Sequence, residues 1–86
     1  MYKVTFTPQA EADLSKMDVA VAKRIVDKIE WLSQNVENIK MEPLRGKFSG
    51  QNKLRVGDWR IIYSVEYPAQ IITIYAIDHR SKIYKV

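Results

Sequence analysis

Three cations bracket a two-residue turn in the second half of this chain. Lys53 and Arg55 precede Gly57-Asp58, and Arg60 follows it. Apolar residues alternate on either side, and a Gly-Asp pair between two alternating runs signals a β-hairpin with a two-residue loop. With Gly57 and Asp58 as that loop, Val56 pairs with Trp59, Arg55 with Arg60, Leu54 with Ile61 and Lys53 with Ile62. Leu54, Val56, Trp59, Ile61, Tyr63 and Val65 then face a core, while Lys53, Arg55 and Arg60 share the other face. Like charges set directly opposite each other destabilise a sheet by a few tenths to about 1 kcal/mol. Two readings follow. Either both arginines splay into water and serve solubility, or the pair holds an anion. Arginine suits phosphate, because its planar fork makes two parallel hydrogen bonds and never deprotonates.

The C-terminal run Asp78-His79-Arg80-Ser81-Lys82-Ile83-Tyr84 adds titratable groups to this set. His79 exchanges protons near neutral pH. Tyr84 is suited to stack on a base or, among cations that lower its pKa, to take a proton. Their structural alternatives are a capping hydrogen bond for His79 and an edge aromatic packed on the sheet for Tyr84. Other chemistries find little support. There is no cysteine, and His79 is the only histidine, which leaves no thiolate nucleophile and little for a histidine-built metal site or a Ser-His-Asp triad. The three glycines are dispersed, so no glycine-rich phosphate loop exists. No acidic cluster suits Mg²⁺ or Ca²⁺, and no cofactor or metal is expected. Phosphodiester cleavage without metal is feasible on RNA, whose 2′-hydroxyl is an internal nucleophile that DNA lacks. The protein then needs only to orient the phosphate, stabilise its developing charge and move protons.

The charge distribution agrees with a polyanion partner. The 86 residues carry 14 Lys+Arg and 10 Asp+Glu, a net charge of +4. Residues 1–43 hold six basic and seven acidic residues, whereas residues 44–86 hold eight basic and three acidic, so the whole excess lies in the second half. Arg45, Lys47 and Lys82 extend the candidate phosphate-binding set of Arg55. A one-sided basic surface fits nucleic acid, an acidic protein or an anionic membrane, or is simply a solvated face. No signal-peptide pattern opens the chain and no apolar run is long enough to span a bilayer, so a cytoplasmic protein without membrane association is expected.

Elements that would position these residues are readable from periodicity. Tyr2 to Thr7 alternates as a half-buried strand. Thr7-Pro8 starts a short helix with Ala10, Leu14 and Met17 on one stripe. Asp18 caps a longer helix to about Val36, whose apolar face is Ala22, Ile25, Ile29, Leu32 and Val36. Trp31 falls off that stripe, either packing under the following loop or marking a contact surface. Asn35 to Pro43 reads as a polar connection, Gln70 to Ile77 as a β-branched strand, and Ser81 to Val86 as a short tail. The prediction is one α+β domain over residues 1–86. Its order is β-α-α-β-β-β with room for an extra edge strand, the N-terminal helical hairpin packing on one face of a small antiparallel sheet.

Three segments together resemble the RelE/ParE superfamily of toxins from prokaryotic toxin–antitoxin modules. They are Pro43-Leu44-Arg45-Gly46-Lys47-Phe48-Ser49-Gly50, then Lys53 through Tyr63, then Ala76 through Tyr84. Thr7-Pro8-Gln9-Ala10 and the helical hairpin match as well. The resemblance implies a RelE-like fold and, for the RelE-like branch, a ribosome-dependent endoribonuclease that cuts mRNA in the decoding site and leaves a cyclic phosphate. By position it implies that Arg60 stabilises the scissile phosphate, that Lys53 is an active-site lysine beside Arg55, and that Tyr84 stacks on the substrate or transfers a proton. Arg80 matches a tail arginine. Gln51 stands where that branch has a second lysine, and Asp78 where it has another tail arginine, which leaves His79 as a substitute proton donor. Implied partners are a RelB-like antitoxin, acidic or amphipathic, together with the ribosome and mRNA. Operator DNA would be met only through the antitoxin complex. The ParE-like branch shares the scaffold but poisons DNA gyrase without nuclease activity.

Overall fold

Local signals set the elements. Thr7 caps the first helix by accepting the Ala10 N–H on Oγ1 at 3.2 Å, and Pro8 occupies its first turn. Asp18 does the same for the second helix through the Ala20 N–H, also at 3.2 Å. Each cap satisfies an amide that helix geometry leaves without a partner. The computed structural model describes residues 1–82. In chain order they form β1 (Lys3–Phe6), α1 (Pro8–Ser15), α2 (Val19–Asn35), β2 (Glu42–Pro43), β3 (Asn52–Val56), β4 (Trp59–Glu66) and β5 (Ile71–His79), with a single 3₁₀ turn at Gly46–Phe48 between β2 and β3.

The strands lie in the order β1-β5-β4-β3-β2. Three of the four pairings are antiparallel, as expected, but β1 joins β5 in parallel, so the sheet is mixed. Alternation reports which face a residue takes and carries no information on strand direction. The short β2 arises inside the stretch read as a polar connection, because Pro43, lacking an N–H, is tolerated at a sheet edge. Met17 lies beyond the end of α1, yet still packs on the core.

Both helices cover one face of the sheet. Ile25, Ile29, Leu32 and Val36 from the α2 stripe meet Ile61, Tyr63, Ile72, Ile74 and Ile77, with Ala10 and Tyr2 completing the buried cluster. Asp13 ties α1 to the sheet by accepting the Ile77 N–H at 2.8 Å and the Gln9 side-chain amide at 2.8 Å. One polar atom in this core has no partner. The Tyr63 hydroxyl is buried without a hydrogen bond among the described residues, and burial pushes its pKa up to about 12, with Tyr67 and Glu42 adding to the shift. Among the described residues no helix is long and apolar enough to cross a membrane.

Candidate functional site on the helix-free face

The hairpin forms in the register that the alternation predicts. Arg55 pairs with Arg60, Val56 with Trp59, Leu54 with Ile61 and Lys53 with Ile62. Gly57 takes φ +58°, a left-handed conformation in its loop that glycine adopts without steric cost. Its missing Cβ matters a second time, since a Cβ there would come within 3.1 Å of the Arg24 guanidinium.

Alternation then places Glu42, Lys53, Arg55, Arg60, Ile62, Ser64 and Asp78 on the face that carries no helix. Ile62 gives this face an apolar floor and is itself buried. Hydroxyls line its far half: Ser64 and Tyr75 share a hydrogen bond at 3.0 Å, and Thr5 donates to Thr73 at 3.3 Å. Tyr75 reaches this face because the β4–β5 register shifts at Ile62/Tyr63, which leaves Tyr75 as the extra residue of a bulge.

Arg60 is partly tethered. Its Nη1 donates to the carbonyls of Gly57 and Trp59, each at 2.9 Å. Its Nε and Nη2 donate to no described residue, and they are one of the two edges of the guanidinium that engage a carboxylate or phosphate with parallel bonds. The backbone therefore fixes the group while leaving one fork open. Fixing the guanidinium in advance removes ordering cost from anion binding.

Carboxylates stand close to the cations of this region. Arg55 Nε lies 3.2 Å from Glu42 Oε2, Arg80 Nε lies 3.7 Å from Asp58 Oδ1, and Asp78 is the cross-strand partner of Arg60. The missed partner Glu42 belongs to β2, just outside the basic half of the chain. Its signal, an acidic residue beside an edge-type proline, is weak until β2 is known to pair with β3.

His79 requires a correction. It pairs with Trp59, so the register puts both on the helix-bearing side, and their rings meet edge to face with centroids 5.9 Å apart. Its Nδ1 shares a hydrogen bond with the Ser81 hydroxyl at 2.9 Å. The structure therefore does not bring His79 together with Arg60. Lys82 lines a groove of about 430 Å³ together with Asp13, Met17 and Trp59. Arg45 and Lys47 are exposed at the 3₁₀ turn, where the Lys47 ammonium sits 5.6 Å from the centre of the Phe48 ring. Tyr84 falls outside the described residues. Among those described, no group of three or more His, Asp or Glu side chains converges as metal ligands would.

Chemically, this arrangement presents an open guanidinium edge on a sheet face that has an apolar floor and a row of hydroxyls. Comparison with known proteins identifies the family. Residues 4–84 match the family model of the ParE toxin of type II toxin–antitoxin systems, parDE. Toxin RelG of Mycobacterium tuberculosis is 28% identical over 85 residues, spanning 98% of this chain and 97% of that protein. A crystal structure of the toxin–antitoxin complex RelBE2 from the same organism contains a chain that superposes with a TM-score of 0.81 at 29% identity, covering 92% of this chain and 98% of the other. The archaeal RelE–RelB complex from Pyrococcus horikoshii gives 0.73 at 26% identity, with 94% and 97% covered.

Proposed function

The chain belongs to the ParE toxin family of type II toxin–antitoxin systems, within the RelE/ParE superfamily, and from that premise we propose that it is a ribosome-dependent mRNA endoribonuclease. The open fork of Arg60 on the helix-free face is the observation that carries this reading. It engages two non-bridging oxygens of the scissile phosphate and strengthens its grip as charge builds there. Such preorganised donors are commonly worth a factor of about 10²–10³ in rate. The RNA 2′-oxygen attacks phosphorus and loses its proton, the bond from phosphorus to the 5′-oxygen breaks, and that oxygen takes up a proton. The products are a 2′,3′-cyclic phosphate and a 5′-hydroxyl. Lys53 adds charge beside the phosphate, Arg55 and Arg80 guide the flanking backbone, and Tyr84 stacks on a base or transfers a proton.

His79 drops out of this mechanism by its position, which leaves few proton-transfer groups in the protein. Free RNA should therefore be cut poorly and mRNA on the ribosome efficiently. A cognate antitoxin, RelB-like as in the solved complexes of relatives, is the natural partner in the resting state, covering the basic sheet face. Contact with operator DNA would come through that complex.

Mapping of mRNA 5′ ends on programmed ribosomes tests this reading. Wild type should cut at the decoding site and Arg60→Ala should not. A wild-type protein that leaves mRNA intact but blocks gyrase supercoiling in a parallel assay would instead make this a gyrase poison of the ParE-like kind. The Glu42 carboxylate paired with Arg55 is the feature that favours that alternative, since it moderates the affinity of the face for phosphate.

A further inference from the structure

Away from the sheet face, α2 exposes a different grouping. Arg24, Asp27, Lys28 and Trp31 line an open groove of about 360 Å³ with Val56 of β3. Trp31 is 39% exposed although it sits on a helix whose opposite stripe is fully buried. The Lys28 ammonium lies over its ring, 3.8 Å from the centre. Asp27 is engaged by Lys23 at 3.1 Å. Arg24 and Lys28 have no carboxylate partner among the described residues, in contrast to Arg55 and Arg80. Arg24 also reaches the Gly57 turn, whose carbonyl holds Arg60 from the other side. Basic groups thus continue around the hairpin turn, from the helix-free face to the flank of α2.

We propose that this flank is a second contact surface for single-stranded RNA, with Arg24 and Lys28 on successive phosphates and a base stacked on Trp31. The proposal extends the RNA-directed reading above and rests on it for the identity of the polyanion. An indole with cations beside it, and without further apolar anchors, is what a flexible strand needs, because every base offers a face for stacking. An amphipathic helix would need apolar anchors spaced along a groove, and this flank supplies only Trp31 and Val56. A nucleotide that takes the Lys28 ammonium onto its phosphate frees the ring face that the ammonium now covers. The strand bound at Arg60 then passes over the Gly57 turn, against which the Arg24 guanidinium packs.

Binding of fluorescein-labelled decauridine, followed by anisotropy in chelator across a salt series, tests this. Arg24→Gln/Lys28→Gln should weaken binding about ten-fold and lower the slope of log affinity against log salt by about 1.4, the value for two phosphate contacts on a single strand. Trp31→Ala should weaken it about five-fold or more, with Trp31→Phe restoring most of the loss. If the double variant binds as wild type does while Arg60→Ala binds weakly, the flank is no RNA contact and only the sheet face binds. Unchanged decauridine binding combined with a weakened antitoxin complex would overturn the proposal in favour of a protein contact. A wild type that binds no decauridine at low salt would defeat this proposal alone, because the RNA-directed reading stands or falls on the 5′-end mapping with programmed ribosomes.

Discussion

The two faces of one sheet divide this protein's work. Strands β3, β4 and β5 send alternate residues to opposite sides. One side buries Ile61, Tyr63, Ile72, Ile74 and Ile77 beneath two helices. The other carries Lys53, Arg55 and Arg60 with Glu42 and Asp78 among them. Neighbours in sequence therefore take opposite faces: Ile61 is buried in the core, and Arg60 beside it lies on the face proposed to bind phosphate. Substitutions on one face should therefore alter stability and those on the other should alter anion binding, one residue at a time. The exception is the Tyr63 hydroxyl, a polar atom on the wrong side.

The most disruptive change to this division is made from the core. Ile61→Ala removes a fully buried side chain and should cost about 2–5 kcal/mol. In a domain of this size the melting temperature should then fall by about 10 °C or more. Calorimetry measures this, and cleavage per folded molecule should stay near wild type. A rate loss that outruns the unfolded fraction would mean the faces are coupled.

Alkaline titration probes the misplaced hydroxyl. The Tyr63 pKa rises from 10.0 to about 12 on folding, so the folded state keeps a proton that the unfolded chain releases. Its contribution is intact below pH 10 and is lost as pH climbs toward 12, at about 1.4 kcal/mol per unit. Between pH 9 and 12 wild type should lose about 2–3 kcal/mol more than Tyr63→Phe does. At neutral pH the phenylalanine variant should be about 1 kcal/mol the more stable, because it no longer buries an unpaired hydroxyl. Denaturant melts at a series of pH values read both effects, and parallel pH profiles for the two proteins would contradict them.

Glu42→Gln is the mildest test. Its ion pair with Arg55 is exposed and contributes little stability, so the melting temperature should hold. Releasing Arg55 should raise decauridine affinity about two- to five-fold, as anisotropy titration would show. Weaker binding would assign Glu42 to orienting Arg55 for the substrate.

The hairpin was fully legible in the sequence, because a Gly-Asp loop between strict alternations admits one register in which the apolar residues coincide. The helices were legible from their caps and the α2 stripe. What escaped was whatever depends on how one strand meets another beyond the Gly-Asp hairpin. The parallel joining of β1 to β5, the arrival of Glu42 beside Arg55, and the bulge that turns Tyr75 onto the Ser64 face have no local signature. His79 shows the cost of reading proximity from sequence, since it adjoins Arg80 in the chain yet stands across the sheet from Arg60. Trp31 falls off the buried stripe in the sequence pattern, whereas the groove beside it exists only where α2 meets β3.

The central claim is that the open fork of Arg60 does the phosphate work. Arg60→Lys tests it most directly, since lysine keeps the charge and loses the fork. On programmed ribosomes this variant should cleave about ten-fold or more slowly, with a melting temperature close to wild type. Cleavage at the wild-type rate would contradict it, reducing Arg60 to one charge among several on a basic face.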